Sequence, residues 1–173
     1  AFIPYVLFWG NYIEQELNYG AAWAGAGAVA LGLSSLFGPG IMGGLSQRIS
    51  TRLALFVAAL LKLIALLGAW LLPVPAVLIL SSILSGAMMP ATIGLTAQRC
   101  AELTQPNAYQ ATWRMLVLSI ALGQALNSFG LSALYEYLGS YRPLFSLGVI
   151  AMTVAAALLY LAEERRPHLL DPT

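Results

Sequence analysis

Residues 63–98 read LIALLGAWLLPVPAVLILSSILSGAMMPATIGLTAQ, without one Asp, Glu, Lys or Arg. About 18 or more apolar residues suffice to cross the hydrocarbon core of a bilayer as a helix. This stretch holds two such runs, divided by Pro73-Val74-Pro75. A helix that shares a surface with water needs a polar face, and neither run has one. The same absence of charge holds from Leu17 to Gln47, from Met115 to Tyr135 and from Pro143 to Ala162. A membrane β-barrel would show strands of about ten alternating residues, and these runs do not alternate. The reading is an all-α polytopic membrane protein. Its spans are predicted at 1–13, 22–45, 53–72, 76–97, 112–134 and 143–162. Residues 1–166 form the bundle and 167–173 a polar tail.

Composition agrees. The chain is 60% hydrophobic and 9% charged, with mean hydropathy +0.80. Soluble domains carry about 25% charged residues. The net charge is +1 and no basic patch occurs, so nucleic acid is not an expected partner. Cys100 is the single cysteine, which excludes an internal disulfide and a Cys-only metal cluster. His168, the lone histidine, sits in the tail. No metal and no cofactor is expected.

The opening AFIPYVLFWGNYI spans about 20 Å as a helix, short of a core of about 30 Å. The expectation is a first span shortened at its N-terminus, in a chain that is the C-terminal part of a larger protein. If the chain zigzags, Arg48, Arg52, Arg99, Arg114, Arg165 and Arg166 share one side. Arg142 lies on the other. That bias predicts a cytoplasmic arginine-bearing side, with both ends of the chain there. Trp70, Tyr135, Tyr137 and Tyr141 gather at the predicted outer face, where amphipathic rings favour the interface.

A few residues stand out against the apolar background. Lys62 lies about nine residues from each end of the third span. A charge at that depth is costly and is a functional hypothesis by default. Its stem, about 6 Å long, is too short to reach either interface. Ala58, Ala59 and Ala65 beside it leave room for another helix. Structural pairing and transport chemistry are both open for it. Glu14, with Asn11, forms either an outward mouth or a solvated loop. In the fourth span Gly86, Pro90 and Gly94 make an i, i+4 stripe, accompanied by Ser85, Met88, Met89 and Thr92. A proline there frees a carbonyl, and transporters place broken helices at substrate sites. Small residues at that spacing equally serve helix packing. Gln124 and Asn127 share one face of the fifth span, as interhelical glue or as substrate contacts.

The segment GGLSQRISTR, 43–52, reads as a tight hairpin between spans two and three. It resembles the second copy of the cytoplasmic loop motif of the major facilitator superfamily, G-x-L-a-D-R-x-G-x-R. Gly43, Leu45, Arg48 and Arg52 match it; Gln47 stands in place of Asp and Ser50 in place of Gly. The stretches YVLFWGNYI, WAGAGAVALGLSSLFGPGIMGGL, SGAMMPATIGLTAQRCAEL and GSYRPLF are similar to the YbfB-like bacterial branch. The resemblance implies the second half of a twelve-helix transporter, built as two inverted three-helix repeats. The longest predicted connection, RCAELTQPNAYQ between spans four and five, contains the breaker Pro106-Asn107. The resemblance also implies a long central cytoplasmic loop there and a bacterial inner membrane. The partners it implies are the lipid bilayer, an N-terminal six-helix half and a small-molecule substrate. By the same resemblance spans one and four line the cavity. That makes Tyr5, Asn11, Tyr12, Ser85, Met88, Met89, Pro90 and Thr92 substrate-site candidates, with Gln124 and Asn127 beside them. The expected function is transport of a small organic solute by alternating access. A non-transporting sensor or interaction module is the alternative. An enzyme would need a convergent nucleophile, base or metal set, and none is visible.

Overall fold

The structure, a computed structural model, describes residues 8–161. Residues 8–11 are α-helical and run into a π-helical turn, Tyr12–Glu16. Five long helices follow: α1 Ala21–Arg48, α2 Thr51–Leu71, α3 Pro75–Leu103, α4 Pro106–Leu138 and α5 Arg142–Leu161. Each is long and apolar enough to cross a membrane. The described residues contain no strand. The all-α membrane architecture read from the sequence therefore holds. Each of the last five predicted spans coincides with a helix.

The connections are tighter than the sequence implied. RCAELTQPNAYQ, 99–110, was expected to be the long connection with Pro106 as a breaker. Instead α3 continues to Leu103 and α4 begins at Pro106, leaving Thr104 and Gln105 between them. A proline at the first helical position forfeits no hydrogen bond and already has the helical φ. Gln105 O accepts the N–H groups of Ala108 and Tyr109 at 2.9 and 3.0 Å, and Thr104 Oγ1 donates to Cys100 O at 2.6 Å. Pro106 thus starts a helix, and the long central loop does not form.

The fourth span is likewise unbroken: α3 runs straight through Pro90. The proline removes one ladder bond, the donor to Gly86 O. Buried neighbours on both sides hold the helix nonetheless. Thr92 Oγ1 adds a bond to Met88 O at 2.6 Å just past the gap.

Elsewhere the caps are ordinary. Ser50 Oγ accepts the Leu53 N–H at 3.2 Å and starts α2. Gly139, at φ 65°, ends α4 in the left-handed conformation that suits glycine.

Packing is uneven. α1 lies along α3, α3 against α2, and α2 against α5. The buried face of α2 is Ala54, Ala58, Ala59, Ala65 and Ala69 with Leu55 and Leu66. Small residues of this kind let helices close in lipid, where no hydrophobic drive operates between them. α4 differs. Leu131 is its one buried residue among the 33 of the helix.

Candidate functional site

One end of the bundle is built from aromatic rings. Trp9, Tyr12 and Ile13 are buried. Trp9 Nε1–H donates to Ser82 Oγ at 2.9 Å, tying the entry segment to α3. Tyr12 Oη–H donates to Ala69 O at 3.4 Å, and Tyr19 Oη–H to Pro73 O at 2.9 Å. Tyr12 packs on Phe145 with ring centroids 4.7 Å apart, and Tyr135 stacks on Tyr141 at 4.2 Å. The π-turn, closed by Leu17 N–H to Tyr12 O at 3.0 Å, carries Glu16 round toward α5. There the Glu16 carboxylate accepts Ser140 Oγ–H at 2.9 Å and the Tyr141 N–H at 2.7 Å. Asn11 is exposed and hydrogen-bonds with the Tyr141 side chain. Glu14 is exposed too. Asn11 and Glu14, the predicted outward mouth, lie on the surface, while the substrate-site candidate Tyr12 turns into the core. Tyr5 lies outside the described residues.

Below this end α1 crosses α3 at two glycines that meet the facing main chain, with Ser34 Oγ beside one of them. A Cβ at Gly38 would lie 1.8 Å from Ala87 O, and one at Gly86 would lie 2.1 Å from Leu31 O. Only glycine allows such an approach. The predicted glycine stripe is therefore divided. Gly86 is sealed in the crossing, while a Cβ at Gly94 would meet nothing within 4 Å. Ser85 is fully buried and its hydroxyl has no hydrogen-bond partner. Met88 packs in one core cluster with Met42, Ala54, Leu55 and Ala58. Met89, Pro90 and Thr92 are half-buried.

The opposite end is polar and carries the arginines. Ser46 Oγ–H is shared between Gly43 O at 2.8 Å and Gln98 Oε1 at 3.2 Å. Thr51 Oγ1–H donates to Glu102 Oε1. Arg99 Nη1 pairs with Glu102 Oε2 at 2.9 Å. One carboxylate on α3 thereby holds the start of α2, and the neighbouring Gln98 holds α1. Arg52 reaches across to the last turn of α5, donating to Tyr160 O at 2.6 Å and Leu159 O at 3.4 Å. A cation on the unpaired carbonyls of a helix C-terminus is favourable. Of the loop-motif residues, Gln47 and Arg48 are exposed, while Gly43 and Leu45 are half-buried.

Lys62 sits at the centre of the buried face of α2 and is 8% exposed. Of the protein or water surroundings expected for it, the bundle supplies protein. Gln124 and Asn127 are exposed on α4. Asn127 Nδ2 donates to Gly123 O at 2.7 Å. Asn127 also borders a groove of about 320 Å³ with Leu126, Gly130, Leu131, Leu134 and Leu147.

A family model described as the uncharacterised MFS-type transporter YbfB matches residues 1–160. The chain belongs to this transporter family. It is an integral membrane protein of a family built for membrane transport. No curated protein and no solved structure matches it.

In this YbfB-type chain the structure joins Ser85 and Met88 in the core, and Gln124 and Asn127 on one open face. It does not bring those two sets together. Three contributors were not legible as sites in the sequence: Ser82, Glu16 and Glu102. Glu16 and Glu102 each have a signal in the sequence. Arg142-Pro143 announces a helix start whose free N–H groups need an acceptor, and Glu16 supplies it. Glu102 lies four residues past Gln98, hence on the same helix face.

Proposed function

We propose that this chain is one half of a secondary transporter that moves a small organic solute by alternating access against a second six-helix half. Its spans, as two inverted three-helix repeats, rock as a body around a midplane site. The observation that supports this most is the bareness of α4, which buries Leu131 alone. α1 is nearly as open, with Leu33, Leu36, Phe37 and Ile41 exposed. A bundle with two such faces on membrane-crossing helices fits a partner bundle and a lumen between them. The arginine-bearing end is cytoplasmic by the excess of Arg there, in a bacterial inner membrane. Asn11, Met89, Pro90, Thr92, Gln124 and Asn127 retain open surface, and with Tyr5 they form the proposed solute path. Tyr12, Ser85 and Met88 shape it from behind.

The test is flux by the full-length protein in proteoliposomes. Uptake or efflux of a solute from a broad chemical screen supports the reading. No flux of any solute, with or without a proton gradient, sinks it. The partner half is tested separately by co-purification of the two halves expressed as separate chains. Asp in place of both Leu126 and Phe129 is expected to abolish that capture.

A further inference from the structure

Leu131, the buried residue of α4, packs in the core cluster that holds Leu144 and Phe145 of α5. Asn127 and Gln124 precede it by four and seven positions, so all three project from one face of the helix. That face is closed against the bundle at Leu131. One and two turns earlier it is open, and Asn127 and Gln124 are both exposed. The opposite face carries Met115, Leu118, Leu122 and Phe129, which are large, apolar and exposed as well. α4 therefore presents two unlike surfaces. An apolar stripe suits lipid or a partner helix. Carboxamides do not, because a polar group left unsatisfied in hydrocarbon is costly. The amide face needs water or a hydrogen-bonding ligand.

A groove of about 320 Å³ starts at Asn127 and follows Gly130, Leu131 and Leu134 to Leu147 of α5. Small-molecule sites begin at about 300 Å³. The side chains of its wall are apolar apart from the Asn127 amide. Asn127 Nδ2 is tied back to Gly123 O at 2.7 Å. That bond uses one N–H and leaves Oδ1 and the second N–H to a ligand. Charge is missing from the surroundings. No Asp, Glu, Lys or Arg occurs from Leu17 to Gln47, from Leu63 to Gln98, from Met115 to Tyr135 or from Pro143 to Ala162. Those stretches hold the membrane-crossing parts of α1, α3, α4 and α5. Lys62 of α2 is turned into the bundle. An ion at the amides would lose water and gain no opposite charge from these helices, which is unfavourable.

We propose that Gln124 and Asn127 are a recognition pair for an uncharged solute with a carboxamide-like group on an apolar body. The body lies in the α4–α5 groove. A solute N–H donates to Asn127 Oδ1, and the solute carbonyl accepts Gln124 Nε2–H. A carboxylate in the same place offers no donor to Oδ1, and an amidinium offers no acceptor to Nε2. The site stands on the geometry of α4; that its ligand is the transported cargo rests on the transporter reading.

The probe is benzamide, with benzoate and benzamidinium as its charged isosteres. Binding to the full-length protein in nanodiscs is read by saturation-transfer NMR. Benzamide is expected to bind, and each ion to bind about tenfold more weakly or less. Gln124→Leu and Asn127→Leu are each expected to weaken benzamide about two- to tenfold, the loss of one net hydrogen bond. Leu122→Ala, on the opposite face, should bind benzamide as the wild type does. Should a leucine variant fail to fold, Asn127→Asp supplies an anion at the same place and is expected to turn the preference toward benzamidinium. A wild type that binds no benzamide, or binds either ion as tightly, overturns the proposal. Benzamide binding unchanged in both leucine variants, or a preference unchanged in Asn127→Asp, also overturns it. Selective benzamide binding by a protein that moves no solute upholds the site and overturns the transporter reading instead. Solute flux that both leucine variants leave intact upholds that reading and overturns the pair.

Discussion

Glu16 Oε2 accepts the backbone N–H of Tyr141 at 2.7 Å, across 125 positions of sequence. With Ser140 Oγ on its other oxygen, the carboxylate acts as the N-terminal cap of α5 although it belongs to the entry segment before α1. Glu16→Ala is expected to cost about 1.5–3 kcal/mol, the range for hydrogen bonds to a charged group. Glu16→Gln keeps one acceptor and should lose less. Thermal unfolding in detergent reads both. An unchanged Tm in Glu16→Ala would show that the cap contributes nothing.

The α1–α3 crossing gives a second expectation. Gly86→Ala and Gly38→Ala each force a methyl group onto a carbonyl of the facing helix. Overpacking of that kind costs about 1–3 kcal/mol. Gly94→Ala, where a Cβ meets nothing within 4 Å, is the matched control and should keep wild-type yield and Tm.

At the arginine-bearing end, Thr51 and Glu102 should be energetically coupled. A double-mutant cycle with Thr51→Val and Glu102→Gln is expected to return an interaction of about 0.5–3 kcal/mol. Additive losses would mean that the contact carries no energy. Arg52→Lys tests the neighbouring contact. A lysine lacks the rigid fork that meets Leu159 O and Tyr160 O together. Faster amide hydrogen exchange in the last turn of α5 is expected, with the first turn unaffected.

Thr92 offers a functional readout. It is half-buried just beyond Pro90, whereas Ile93 is 51% exposed on another face of α3. In the full-length transporter, maleimide labelling of Thr92→Cys should slow when a transported solute is present. Labelling of Ile93→Cys should not. Equal rates with and without solute at both positions would remove this part of α3 from the solute path.

Much of this architecture was legible because a bilayer leaves few choices. Charge-free runs of span length must be helices, and the positions of Pro, Gly and Arg marked their order. What failed was local. Pro106 and Pro90 were read as interruptions, since proline is hostile to a helix interior in general. Pro106 instead occupies the one helical position that needs no N–H, and packing from both sides carries α3 through Pro90. The candidate site was harder. Whether a polar residue faces a cavity, a neighbouring helix or lipid depends on helix rotation, and apolar runs without an amphipathic stripe do not encode it. Lys62 was the exception, because its cost in lipid dictates a side turned to protein or water. Glu14 and Glu16 show the opposite case. They are two residues apart and alike in type, and the π-turn alone decides which one reaches α5.

The α1–α3 crossing, where Gly38 meets Ala87 and Gly86 meets Leu31, has one more consequence. The joint is mostly main chain, with Ser34 Oγ beside Gly86, so side-chain rearrangement has little scope to widen it. α1 and α3 can roll or tilt about that point, but they cannot separate there without losing it altogether. It is a fulcrum. If α1 and α3 tilt against each other within the half, spin labels placed in pairs above and below it should report opposite changes in distance, while a pair at its own level stays constant.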